Sequence, residues 1–427
     1  MPIEPKPGGR LSLSRPIFII GILFFVFGFF TWLGSVLIPY LRIACELNDI
    51  SAYLVAFSFY ISYMVMAIPA ASLLKRTGYK NGMSLGLVIM AAGAFLFIPA
   101  ALVRSYPLFL SGLFVQGTGL AILQTASNPY ITILGPLETA ARRISVMGIC
   151  NNVAGVMGPL ILGAVTLRGA DDIKARVIHM PLAEKTLLLD SLAHRVITPY
   201  AIMGVVLLLL APLVGFSGIP ELDADAESDT VALANTNKTS ILQFPHLLLG
   251  VMTLFLYVGV EVIAGDTIIN YGSSQGIPLV DAKFFTSFTL TCMLAGYVLG
   301  ILLIPKYVSQ VSVLKISSLL GLVFTGAALC TTGYLSVTFI ALLGLANSMV
   351  YPSIWPLAIR GLGRFTKIGS SLLIVAIGGG AILPLVYGWL AHHYSPQQAY
   401  WLVIPCYLCI GYYAQFGHKT GLSLKNT

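Results

Sequence analysis

The 427-residue chain is 57% hydrophobic and only 9% charged, with a formal net charge of +8. Ordinary soluble domains carry roughly 25% charged residues, so this composition excludes a soluble protein, which would have too little polar surface to show to water. The positive charge sits in short clusters between apolar runs (Lys75-Arg76, Arg142-Arg143, Arg360/Arg364/Lys367) rather than in a stripe interleaved with aromatics, which excludes a nucleic-acid partner and points to a lipid bilayer.

Apolar runs of about 20 residues select spanning helices over the alternating strands of a barrel. In chain order they lie at 16–41, 51–74, 83–103, 107–135, 144–167 and 197–218, then at 244–271, 282–305, 313–333, 335–359, 367–391 and 399–417. The first run is too long for a signal peptide and no small-residue cleavage site follows it, so it stays as a span. With the N-terminus inside, 16 of the 24 Lys and Arg residues fall in inner segments. Five of the other eight lie in one long outer loop, 168–196. This asymmetry predicts a bacterial inner-membrane protein with both termini in the cytoplasm. The expected fold is an all-α membrane protein of twelve transmembrane helices in two pseudo-symmetric six-helix bundles. The halves are expected at 1–218 and 244–427, joined by a linker at 219–243 whose core, 221–240, is polar and flexible.

Polar residues inside the spans mark the candidate site. The first span carries Thr31, Trp32 and Ser35. The fourth carries Gln124, Thr125 and Asn128, with Gln124 and Asn128 sharing a face at i, i+4, and the fifth carries Asn151-Asn152. The tenth adds Asn347 and Tyr351 at the same spacing. Amides pair with sugar hydroxyls without adding net charge, and aromatic faces such as Trp32 stack on a sugar ring. Polar glue between helices is the competing reading for single Ser and Thr residues. The halves also echo one another, with Pro159-Leu160 and Gly163 in the fifth span against Pro384-Leu385 and Gly388 in the eleventh. Such repeats place a site between the halves. Gly378-Gly379-Gly380 lacks the Lys-Ser/Thr of a phosphate loop and reads as close helix packing or a bend. The six cysteines read as small core residues, and no enzyme activity or bound cofactor is expected.

Acids within a predicted span occur only in the seventh, at Glu261 and Asp266. An acid near mid-bilayer costs about 2.5–3.5 kcal/mol and normally faces a wet cavity or a partner. The seventh span offers no Lys or Arg to neutralise them, so a cation from solution, sodium or a proton, is the natural counter-charge. Sodium is preferred, because Ser35, Thr267 and Asn270 supply neutral oxygens to complete a shell at Glu261 and Asp266. Gly265 is expected to break the helix between the two acids.

The run Gly119-Leu-Ala-Ile-Leu-Gln124-Thr-Ala-Ser-Asn128-Pro129-Tyr-Ile-Thr-Ile-Leu-Gly135-Pro136 resembles the fourth-helix signature of the fucose/glucose-galactose/N-acetylglucosamine branch of the major facilitator superfamily. Tyr257-Val-Gly-Val-Glu261 and Tyr351-Pro352-Ser-Ile fit the same branch. The resemblance implies sugar:cation symport by alternating access, with a hexose of the glucose/galactose or N-acetylglucosamine type and a monomeric carrier. Against L-fucose-type members, Ser35 stands where the first helix has an Asp, Gln124 where the fourth has a Glu, and Gly148 where the fifth has a Gln. Those departures leave L-fucose:proton symport as the alternative rather than the leading expectation. A multidrug exporter of the same fold is disfavoured by the amide-rich fourth and fifth spans, and an ATP-driven pump by the lack of a phosphate-binding loop.

Overall fold

The computed structural model describes residues 14–133, 140–177, 180–217, 238–304, 307–362 and 365–421. Most of the linker expected at 219–243 lies outside the described residues. Every regular element among those described is helical. Eleven runs among them are long and apolar enough to cross a bilayer: Pro16–Ala44, Ile50–Ala70, Arg76–Leu102, Tyr106–Ser127, Val146–Thr166, Leu182–Gly215, Pro245–Asp266, Leu279–Leu303, Gln310–Cys330, Gly333–Ile359 and Ile368–His393. The twelfth span is Val403–Gln415, entered through Pro396–Ala399 and a 3-10 turn at Tyr400–Leu402. In lipid each backbone group must be satisfied within its own segment, which leaves helices as the answer to these sequences.

The chain punctuates these helices with local chemistry. The Asn48 side chain caps the second span by accepting from Ser51 N–H at 2.7 Å. The second and third spans form one hydrogen-bonded run, Asp49–Leu102, bent at Gly78 with φ 77° and ψ 167°. A residue with a Cβ is strained at that φ, so glycine makes the reversal among Lys75, Arg76 and Lys80. The segment 168–196, expected as a loop, instead holds two helices, Ala170–Val177 and Leu182–His194. The second is tied down by its buried residues Leu189, Leu192 and Ala193 and by the Tyr40 hydroxyl, which donates to Leu192 O at 2.9 Å and Ala193 O at 2.8 Å.

Among the described residues the first, seventh, tenth and eleventh spans are interrupted, the eleventh by a 3-10 turn at Ala376–Gly378. The first divides into Ser14–Thr31 and Gly34–Ala44, with Ser35 Oγ donating to Trp32 O at 2.8 Å across the break. The seventh continues unbroken through Gly265 and stops after Asp266, resuming at Ile268–Ser274. The expected break at Gly265 is therefore displaced by two residues, and both acids stand on one helix. Gly265 serves a different purpose: its missing Cβ makes room for the Trp32 ring. The tenth divides at Ser348-Met349. The first span also runs on past residue 41, which brings Arg42 inside its helix.

Spans one to six pack chiefly on one another, as do spans seven to twelve. The two groups join along the second against the eleventh and the fifth against the eighth. On the side away from the N-terminus, the segment Gly34–Ala44 also packs on the end of the seventh span and on Ile268–Ser274. The chain is a multi-pass membrane protein with its two helix groups closed together on that far side.

Candidate functional site

The far-side closure is polar. Arg42 Nη1 donates to Asn270 Oδ1 at 3.1 Å, and Asn270 Nδ2 donates to the Tyr53 hydroxyl at 3.1 Å, so one amide of the seventh span's continuation holds the first and second spans. Farther out, Leu279 N–H donates to Asp171 Oδ2 at 2.8 Å across the same seam. Asn270 is thus a cross-link between the helix groups, and its oxygen is taken by Arg42.

Beneath that closure, Glu261 is half-buried and accepts from the Tyr257 hydroxyl at 2.8 Å. Its charge is felt by Tyr60, Tyr297, Tyr351 and Tyr407, which come from the second, eighth, tenth and twelfth spans. Tyr351 is half-buried and stacks on Trp355 with ring centroids 5.6 Å apart. Asn347 is buried, and its Oδ1 accepts from Tyr407 OH at 2.8 Å. The structure therefore brings Glu261, Asn347 and Tyr351 into one tyrosine-rich region. Gly148 of the fifth span adjoins it, since a Cβ there would lie 3.5 Å from the Tyr297 ring. The tyrosines went unremarked in the sequence; the signal was a set of hydroxyl-bearing aromatics inside otherwise apolar runs.

Gln124 and Asn151, from the fourth and fifth spans, are half-buried. Asn152 is buried, its Nδ2 donating to Gly148 O at 3.1 Å while its Oδ1 has no partner. Asn128 lies in the helix Tyr106–Ile133, but its side chain falls outside the described residues. Trp32 is not an open stacking platform in this conformation. It is 4% exposed, wedged between Gly155 and Gly265, and it packs with Leu290, Met293, Tyr297 and Met349.

Asp266 lines a cavity of its own, which shares Tyr60 with the surroundings of Glu261. It is 1% exposed, and neither carboxylate oxygen has a hydrogen-bond partner. Its nearest approach is to the break of the first span, where a Cβ at Gly34 would lie 2.6 Å from Oδ2. It lines a small cavity with Thr31, Gly34, Tyr60, Gln116 and Tyr200. Thr31 Oγ1, Gln116 Nε2 and Tyr200 OH are likewise buried without partners. Buried polar groups left unmet cost about 1–3 kcal/mol each, so such a concentration is expected where something binds. The sodium shell anticipated from the sequence is engaged elsewhere: Ser35 with Trp32 O, Thr267 with Ile263 O at 2.8 Å and Tyr400 OH at 3.0 Å, and Asn270 with Arg42. Gln116 and Tyr200 were missed; an amide eight residues before Gln124 in an apolar run was the available clue. Among the described residues no cluster of three or more His, Cys, Asp or Glu side chains suits a metal ion.

Comparison with known proteins places this geometry in context. The profile of the Major Facilitator Superfamily matches residues 20–370. The chain is 32% identical to a glucose/galactose transporter of Brucella abortus biovar 1 (strain 9-941), over 98% of each protein. It is 31% identical to the L-fucose-proton symporter of Escherichia coli (strain K12), over 91% of this chain and 90% of that protein. Among solved structures it is similar to the Major Facilitator Superfamily transporter FucP in the outward conformation, with a TM-score of 0.72 and 28% identity over 95% of this chain and 99% of that one.

Proposed function

This chain belongs to the Major Facilitator Superfamily, and from that premise we propose that it is a secondary active transporter that imports a hexose together with a monovalent cation. The observation that carries the reading is a half-buried carboxylate, Glu261, inside the seventh span, bonded to Tyr257 in a tyrosine-rich region that also holds Asn347 and Tyr351. Amides and tyrosines are suited to a neutral polyol, and an intramembrane acid is suited to a coupling cation. Glucose, galactose or N-acetylglucosamine is the substrate class, in line with the glucose/galactose transporter relatives. Residues Gln124, Asn128, Asn151, Asn152, Asn347 and Tyr351 form the sugar site in this reading, with Trp32 as the wedge beneath it. Glu261 and Asp266 carry the coupling.

The proton is the ion named for the L-fucose-proton symporters among the relatives. Among the departures that the resemblance implies, members of that type bear a first-helix Asp where Ser35 stands. Here Asp266 fills that neighbourhood from the seventh span, pressed against Gly34. The acid is thus supplied by the other half of the protein. The two halves, 1–218 and 244–427 about a linker at 219–243, rock against one another. The protein resides as a monomer in a bacterial inner membrane with both termini in the cytoplasm.

Counterflow into liposomes tests the reading, using a panel of glucose, galactose, N-acetylglucosamine and L-fucose. A sodium gradient at fixed pH and a pH gradient in sodium-free buffer are imposed separately. Counterflow of one of the first three sugars is the expected result. No hexose counterflow, together with efflux of lipophilic cations, would transfer the chain to the multidrug exporters.

A further inference from the structure

We propose that the cavity around Asp266 is an occluded binding site for one sodium ion, separate from the cleft acid Glu261. Five buried atoms without hydrogen-bond partners belong to residues that line it: both carboxylate oxygens of Asp266, Thr31 Oγ1, Gln116 Nε2 and the Tyr200 hydroxyl. Asp266 supplies the one formal charge in the lining, since no Lys, Arg or His joins it. A single negative charge calls for a single positive one; a divalent ion would leave an uncompensated charge in a water-poor interior. The cavity has room for about one water-sized body, so the ion enters stripped of its shell and takes oxygens in exchange. Asp266, Thr31 and Tyr200 offer four oxygens. Gln116 offers a fifth, because its amide oxygen and nitrogen exchange places by a simple flip.

A further feature favours a cation there. A proton on Asp266 would add a single donor and leave the other polar groups of the lining unanswered, whereas a sodium ion engages them together. The site also has an unusual ownership. Asp266 comes from the seventh span, and every other lining residue comes from spans one, two, four and six. The ion is therefore complete in its shell only while the far side is closed, and opening that side releases it. This deepens the symport reading by giving the coupling ion a place, while the site is argued from its own geometry.

Thermal unfolding of the purified full chain in detergent tests it, with sodium, potassium or choline chloride at fixed pH and ionic strength and no sugar present. The Tm should rise with sodium, saturate, and stay flat with choline. Asp266→Asn should abolish the sodium response. Thr31→Val should demand about tenfold more sodium for the same rise, as expected for one lost ligand. The same response to sodium and choline in the unaltered protein overturns the site, as does a sodium response that both cavity variants retain. A Tm that follows pH and ignores sodium also overturns it and hands the cavity to a proton. Failure of hexose counterflow would leave these melts untouched, and a sodium-blind melt beside intact counterflow would remove the site alone.

Discussion

Asn270→Ala should loosen the far-side closure without unravelling the helix that carries it. Alanine is the strongest helix former, so Ile268–Ser274 keeps its backbone. What disappears is the pair of bonds to Arg42 and Tyr53, each 3.1 Å long. A hydrogen bond to a charged group contributes about 1.5–3 kcal/mol and a neutral one about 0.5–1.5 kcal/mol. Their joint loss shifts the balance between closed and open far sides by roughly 2–4 kcal/mol, a factor of about 30–1,000. Arg42 and Tyr53 hold other partners as well, so the lower end of that range applies. The assay is electron-electron double resonance between spin labels at Ala175 and Val280, exposed positions on opposite sides of the seam. Unaltered protein should give one short distance, and the variant should add a longer one as a major population. If monodisperse Asn270→Ala protein returned the same distance distribution as its parent, Asn270 would not be the latch.

Three further outcomes are expected. Gln124→Ala should weaken hexose binding about five- to tenfold, the loss of one neutral hydrogen bond, read by calorimetry against unchanged thermal stability. Glu261→Gln keeps the contact with Tyr257 but deletes the charge; it should abolish accumulation against a gradient while sugar exchange persists, and full concentrative uptake would remove Glu261 from coupling. Gly78→Ala forces a Cβ into a left-handed backbone and should cost about 1–3 kcal/mol, seen as a lowered Tm; an unchanged Tm would mean the reversal reforms elsewhere.

The spans were legible because length and hydropathy are properties of a segment alone. The breaks within them were not. Gly265 looked like the weak point of the seventh span, yet the interruption falls at Thr267. The stretch 168–196 holds no apolar run of about 20 residues, so its helices gave no spanning signal, although Leu189 and Leu192 are buried. Glu261 and Asp266 stood out since acids in apolar runs are rare and costly. Their surroundings depend on which spans cross beside them, and that is set by packing rather than by spacing. Thr31 and Gln116 are 85 positions apart in the chain and line one cavity. Arg42 sat one residue beyond the predicted end of the first span, and so its bond to Asn270 had no signature at all.

The Trp32 wedge carries an evolutionary consequence. Its ring fills space that Gly155 and Gly265 leave empty, and the two glycines belong to different halves of the molecule. The three positions behave as one steric unit, with a fixed volume shared among them. Enlarging either glycine alone is barred by the indole, and shrinking the indole alone opens a void between the halves. Drift at any one of them is therefore conditional on the others. Across descendants of this chain, a larger residue at 155 or 265 should arrive only with a smaller one at 32, so that the seam is inherited as a matched set.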